Sequence, residues 1–260
     1  MPLENILFRV EDGVGIATVD RPKALNALDS RTVAELGELV AQVGADDRVH
    51  ALVLTGAGDK AFVAGADIAQ MSRMSALEAR RFAEAGQRAL RGLEELPIVT
   101  VAAVNGFALG GGCELAMACD LVYASEKARF GQPEVNLGII PGFAGTQRLP
   151  RRIGPQRARE MILTGDMADA ATAKAWGLVL EVLPPERLLG HAVAQARKIA
   201  AKGPAAVAAV KRVMRATAAS PLPEGQAVEA EAFGALFATE DAREGLAAFL
   251  EKRPAAFRGR

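Results

Sequence analysis

Two glutamates and a run of three glycines stand close together between residues 98 and 134, in IVTVAAVNGFALGGGCELAMACDLVYASEKARFGQPE. Glu114 follows Gly110-Gly111-Gly112, and Glu134 closes Gly131-Gln132-Pro133-Glu134 twenty residues later. Paired carboxylates suit general acid/base work, because mutual repulsion and unequal burial let one stay protonated while the other is ionised. A glycine run that opens a helix adds unpaired N–H groups and the positive end of a dipole, which favour negative charge developing on oxygen. The combination suits a carbonyl compound, polarised toward an enolate while a proton moves at the α-carbon. On spacing alone, the same residues also fit a tight turn, an ordinary first-turn acid and a surface glutamate.

The elements around them must do the positioning. Ile98 to Val104 is a continuous apolar, β-branched run after Pro97 and reads as a buried strand ending near Asn105-Gly106. A short apolar helix resumes at Cys113, and strand-like Asp120–Ala124 with an apolar return at Ala128–Phe130 leads to Glu134. Upstream, Leu7–Val10 and Val14–Val19 flank an Asp-Gly turn and predict a hairpin. Asp29 or Ser30 can cap a helix carrying Val33, Leu36, Val40 and Val43 on one face. Ala51–Thr55 predicts the next buried strand. The following GAGDKA formally satisfies a dinucleotide fingerprint, but Phe62–Ala66 stands where the required helix should begin, and Glu78 falls in a helical pattern. Leu77 to Leu96 predicts a long helix stopped by Pro97. Pro141–Thr146 reads as a turn into a helix, Met161–Trp176 as helix, and Val179–Leu183 as a last strand. Beyond Leu188 only alanine-rich helices follow, and this shift divides the chain into a core of residues 1–195 and a helical region of 196–260. Phe233, Phe237 and Phe249 are too many large apolar groups for a free helical tail, so these helices must pack on the core or on another subunit.

Thirty-one lysines and arginines balance 31 aspartates and glutamates, which argues against a nucleic-acid or membrane-surface partner. The two cysteines, Cys113 and Cys119, match neither a CxxC pair nor a disulfide scaffold. His50 and His191 lie away from the glycine stretch, and no GxSxG or HExxH occurs, so a His-based triad or a metal site is poorly supported. No leader and no run of about 18 apolar residues is present, which predicts a cytoplasmic protein.

GADI at 65–68, VNGFALGGGCELAMACD at 104–120, FGQPEVNLGIIPGFAGTQRLPR at 130–151 and WGLV at 176–179 together resemble the crotonase superfamily, most closely its enoyl-CoA hydratases. The resemblance runs from RPKALNAL at 21–28 to the final EKRPAAFRGR. It implies an α/β spiral of repeated ββα units with a C-terminal helical domain, and syn addition of water to a 2-enoyl-CoA. Glu134 would deliver the α-proton, Glu114 would hold and deprotonate the water, and the Gly111 and Ala66 amides would bind the carbonyl oxygen. Lys23, Ala24 and Leu25, with Ala64, Gly65, Ala66, Asp67 and Ile68, would contact the coenzyme A thioester. Family members often carry glycine where Ala144 stands at the acyl end. Coenzyme A belongs to the substrate, so no metal or redox cofactor is implied, and a trimer or dimer of trimers is. The competing expectations are an enoyl-CoA isomerase, which acids at both 114 and 134 disfavour, and a non-catalytic RNA-binding relative, which the neutral charge disfavours.

Overall fold

A computed structural model describes residues 3–259. The hairpin expected at the start is present, β1 (Ile6–Glu11) pairing antiparallel with β2 (Val14–Val19). Asp12 and Gly13 both take positive φ between them, as the twist of a two-residue hairpin turn demands. Helix α1 (Ser30–Gly44) follows, capped by the Asp29 carboxylate, which accepts the Thr32 N–H at 2.8 Å.

A repeating unit then begins. Strand β3 (Ala51–Gly56) is followed by short β4 (Ala61–Val63), then by helices α2 (Ile68–Met71) and α3 (Ala76–Glu95). Strand β5 (Val99–Val104) is followed by β6 (Phe107–Leu109) and α4 (Gly111–Ala118). Strand β7 (Leu121–Ser125) is followed by β8 (Arg129–Gly131), a 3-10 segment (Pro133–Leu137), and helices α5 (Gly145–Ile153) and α6 (Pro155–Thr164). The chain closes with β9 (Met167–Asp169), α7 (Ala170–Ala175), β10 (Glu181–Leu183), α8 (Pro185–Ala200), α9 (Pro204–Ala216), α10 (Leu222–Leu236) and α11 (Glu240–Leu250).

The long strands form one sheet in the order β1-β2-β3-β5-β7-β10, and the short ones a second, β4-β6-β8-β9. Each ββα unit therefore places one strand in each layer, which is the spiral the resemblance implied. Two corner glycines permit the crossings: a Cβ on Gly56 would lie 2.3 Å from the Ala61 and Phe62 carbonyl oxygens, and one on Gly106 would lie 2.1 Å from the Lys60 carbonyl oxygen. Asn105 stitches neighbouring corners, its amide donating to the Gly56 and Gly58 carbonyls at 2.9 and 2.8 Å. Strand β4 starts at Ala61, the last residue of GAGDKA, with no helix between it and β3, so that segment is a layer crossing and lacks the geometry of a dinucleotide site.

The structure corrects two of the sequence expectations. Met161–Trp176 is not one helix: Gly165, at positive φ, ends α6, β9 pairs with β8, and Asp169 caps α7 by accepting the Thr172 N–H. Its alanine-rich spacing hides a three-residue strand from any periodicity argument. The last strand begins at Glu181, two residues later than the apolar run suggested. Residue 195, where the sequence reading placed its division, lies inside α8, which continues to Ala200 and buries Leu188, Ala192, Val193 and Ala196 against the first sheet. Lys211 then ties α9 to the core, donating to the Leu93 and Ile98 carbonyls at 3.1 and 2.9 Å and pairing with Asp120 at 2.8 Å.

Candidate active site

The three glycines have three separate tasks. Gly110 takes φ +47° and ψ −120° at the start of α4, a conformation open mainly to glycine. Gly112 lies against β4, where a Cβ would come within 1.9 Å of the Val63 carbonyl oxygen. Gly111 is the first residue of α4, so its N–H has no partner within the helix. With all eight residues of α4 buried, Glu114 in its first turn is carried into the interior at 1 % exposure.

A carboxylate at that depth needs donors. Glu114 Oε1 accepts the Phe143 N–H at 2.8 Å and the Gly145 N–H at 2.5 Å, both from the turn entering α5. Ala144 between them sits at φ +74°, left-handed backbone that costs about 1–2 kcal/mol for a residue with a Cβ. Arg148 holds this turn, donating to the Phe143 carbonyl at 2.5 Å and bidentately to Glu94 at 2.6 and 2.9 Å. The Phe143 ring fills a slot that exists because residue 86 is glycine, where a Cβ would meet the ring at 2.3 Å.

Glu134 enters from the 3-10 segment after β8. Its Oε1 lies 2.8 Å from where a Cβ on Gly110 would stand, so the same glycine that turns the chain also makes room for the second carboxylate. Its Oε2 is buried without a hydrogen-bond partner. Both glutamates line one cavity of about 720 Å³ that also touches Ala64, Gly65, Ala66 and Gly111.

Ala66 reaches that cavity by its pairing with Leu28. The Leu28 N–H donates to the Gly65 carbonyl at 2.8 Å, and the Asp67 N–H donates to the Leu28 carbonyl at 2.9 Å. This parallel pattern turns Ala66's own N–H away from Leu28. The structure thus brings Glu114, Glu134, Gly111, Ala64, Gly65, Ala66 and Ile68 to one cavity. It leaves Lys23 exposed on the 3-10 segment Pro22–Ala24, and Leu25 reaches the cavity rim only through its carbonyl, which accepts the Ala64 N–H at 3.1 Å. The Asp67 carboxylate is occupied: it caps α2 by accepting the Gln70 N–H at 3.1 Å and pairs with Arg21 at 3.2 Å, so it supports the loop from behind.

Burial pushes the Glu114 carboxyl up to about 7, the nearby Glu134 charge adds to this, and the Gly145 and Phe143 amides and the Arg148 charge pull against it. Burial also raises Glu134. Both carboxyls are thus shifted toward the proton, the two amide donors opposing the shift at Glu114 and no donor meeting Oε2 of Glu134.

Cys113 and Cys119 are buried and free, each pushed up to about 12 chiefly by burial, which makes them inert thiols. His191, on α8, packs edge-on to Tyr123 and is not among the residues lining the cavity. Among the described residues, no group of three or more His, Cys, Asp or Glu could hold a metal ion, and no helix is long and apolar enough to cross a membrane. Sequence reasoning did not single out Gln132, Glu94 or Arg148. The RL of GTQRL gave no sign of the arginine's target, because Glu94 lies far away in sequence and meets it only after α3 packs beside α5.

The family model for enoyl-CoA hydratase/isomerase matches residues 9–260. The chain belongs to this family. It is 48 % identical over 257 residues to the crotonyl-CoA hydratase of Syntrophomonas wolfei, covering 99 % of both chains. It is 46 % identical to the short-chain-enoyl-CoA hydratase of Clostridium acetobutylicum, covering 97 % of each. The crystal structure of enoyl-CoA hydratase from Bacillus anthracis superposes with a TM-score of 0.96 at 38 % identity, covering 99 % of this chain and 100 % of that one. The crotonase resemblance drawn from the motifs is therefore borne out, as is the fold it implied.

A family member that buries an acid this deeply should show it in its stability. An acid raised in the folded state binds its proton more tightly there than when unfolded, so stability falls as pH rises from about 4.5 toward about 7 and levels off above. Glu114→Gln is expected to melt a few degrees above the wild type at pH 8, the difference closing as pH falls toward 5. Calorimetry across that range checks it, and a variant less stable than wild type at pH 8 contradicts it.

Proposed function

We propose that this chain adds water reversibly across the double bond of a 2-enoyl-CoA, giving the 3-hydroxyacyl-CoA. One observation carries the reading: Glu114 and Glu134, from two successive ββα units, line a single cavity beside Gly111 and Ala66. In the proposed mechanism, the Gly111 and Ala66 N–H groups hold the thioester carbonyl oxygen. Ionised Glu114 takes a proton from water as the water oxygen bonds to the β-carbon. The double-bond electrons shift onto the carbonyl as an enolate. Protonated Glu134 then delivers its proton to the α-carbon on the same face, and the enolate collapses back to the thioester. A proton passes from Glu114 to Glu134 to reset the site. No redox carrier or metal enters this balance, since coenzyme A arrives with the substrate. The Lys23, Ala24 and Leu25 segment and the Ala64–Ile68 loop, with Asp67 bracing it, flank the thioester arm in this reading, which carries with it a cytoplasmic enzyme.

Residues through α8 form the binding and catalytic core in this proposal, and α9 to α11 form an oligomerisation region. Phe233, Phe237 and Phe249 support the division, exposed at 64, 52 and 82 % on α10 and α11. A trimer, or two stacked trimers, would cover them. Multi-angle light scattering should give three or six times the chain mass of 27.2 kDa. A stable and fully active monomer would overturn this.

The catalytic assignment is tested by Glu114→Gln and Glu134→Gln, which keep shape and remove proton transfer. Each is expected to lower crotonyl-CoA hydration by about 10²–10⁴, with thioester binding much less affected. The double variant should lose far less than the product of the two single losses, because the two residues serve one transition state. An enzyme that shifts a 3-enoyl-CoA double bond, and tolerates Glu114→Gln but not Glu134→Gln, would sink the hydratase reading in favour of an isomerase.

A further inference from the structure

Gln132 is fully buried, carries none of the roles assigned above, and does not line the cavity. Its Nε2 donates to the Gly110 carbonyl at 3.3 Å, and its Oε1 has no partner. The Gly110 carbonyl and the Gly111 N–H belong to one planar peptide group. The same carbonyl also accepts the Glu114 N–H at 2.9 Å. Two donors therefore converge on the oxygen of the peptide whose N–H points the other way. We propose that Gln132 is a positioning residue for the oxyanion hole: it fixes and polarises the Gly110–Gly111 peptide so that the Gly111 N–H is a stronger, better-aimed donor to the thioester carbonyl. The inference rests on the hydratase reading and on Gly111 as a donor within it.

The physical reasons are three. A peptide plane flanked by a glycine at φ +47° and ψ −120° has little orientational preference of its own, and the Gln132 amide adds a second bond to the one its oxygen accepts from the Glu114 N–H. Hydrogen bonds in a chain polarise one another, and charge drawn onto a carbonyl oxygen makes the N–H across the same amide a better donor. Finally, a buried amide with one oxygen unsatisfied is a costly way to fill space, at about 1–3 kcal/mol, so an apolar side chain of the same size would serve packing alone at least as well. That last point separates a positioning role from a structural one. Gln132 also stands next to the acid, since its Oε1 and Glu114 Oε1 lie 2.7 and 2.9 Å from the point where a Cβ on Gly145 would be.

The test is Gln132→Met, which keeps length and removes the donor. The readouts are turnover of crotonyl-CoA, melting temperature, and the red shift in absorption of a bound aryl-substituted enoyl-CoA, which reports carbonyl polarisation directly. The variant is expected to melt at or above the wild-type temperature, to lose about tenfold in kcat, less than the 10²–10³ that follows deletion of a whole oxyanion donor, and to change KM less than twofold. The bound chromophore's red shift should shrink. Should Gln132→Met fail to fold, Gln132→Glu carries the test, since its protonated carboxyl can donate to the Gly110 carbonyl and its ionised form cannot. Its turnover and red shift relative to wild type should then rise as pH falls. A folded variant with wild-type kcat and an unchanged red shift would overturn the proposal. A wild-type protein that produced no red shift on binding would instead strike at the hydratase reading beneath it.

Discussion

Holding a carboxylate away from water at the start of a fully buried helix is the constraint that the rest of this structure serves. Glu114 could not be there without donors, and the Phe143 and Gly145 amides supply them. Those amides are aimed by a strained turn at Ala144, which Arg148 and Glu94 grip from behind. Arg152, one helical turn further along α5, closes the far end of α4 by donating to the Met117 and Cys119 carbonyls at 2.8 and 2.7 Å. Helix α5 and the turn entering it thus bond to α4 at both ends.

The repeat explains how the other groups arrive. Strands β4, β6 and β8 are adjacent and parallel in the second sheet, so their C-terminal ends lie side by side. Ala66 follows the first, Gly111 and Glu114 the second, and Glu134 the third. Three copies of one supersecondary unit therefore deliver an amide, an amide with an acid, and a second acid to the same edge. This is the familiar placement of sites beyond the carboxyl ends of parallel strands, achieved here with strands only three residues long.

Much of this was legible in the chain. The hairpin, the long strands of the first sheet, α1 and α3 all follow from apolar periodicity and capping residues, and both glutamates and the glycine amide were singled out by residue type and spacing. The second sheet was not legible, because three-residue strands such as β4 and β6 offer too few positions for any alternation to show. The same shortness turned α6, β9 and α7 into one apparent helix. Gln132, Glu94 and Arg148 were missed for a different reason: their partners are remote in sequence or are backbone groups, which carry no sequence signal. Asp67 stood in the right loop, but only the fold shows its carboxylate turned to Arg21 and the α2 amide.

The central claim is that burial gives Glu114 a proton affinity near neutrality while two amides still allow it to ionise. Infrared difference spectroscopy across a pH titration, comparing the wild type with Glu114→Gln, tests this without turnover. The account expects a buried carboxyl C=O band in the wild type that converts to carboxylate near pH 7 and is missing from the variant. A Glu114 signal already ionised below pH 5, or a difference spectrum with no titrating carboxyl, would contradict it.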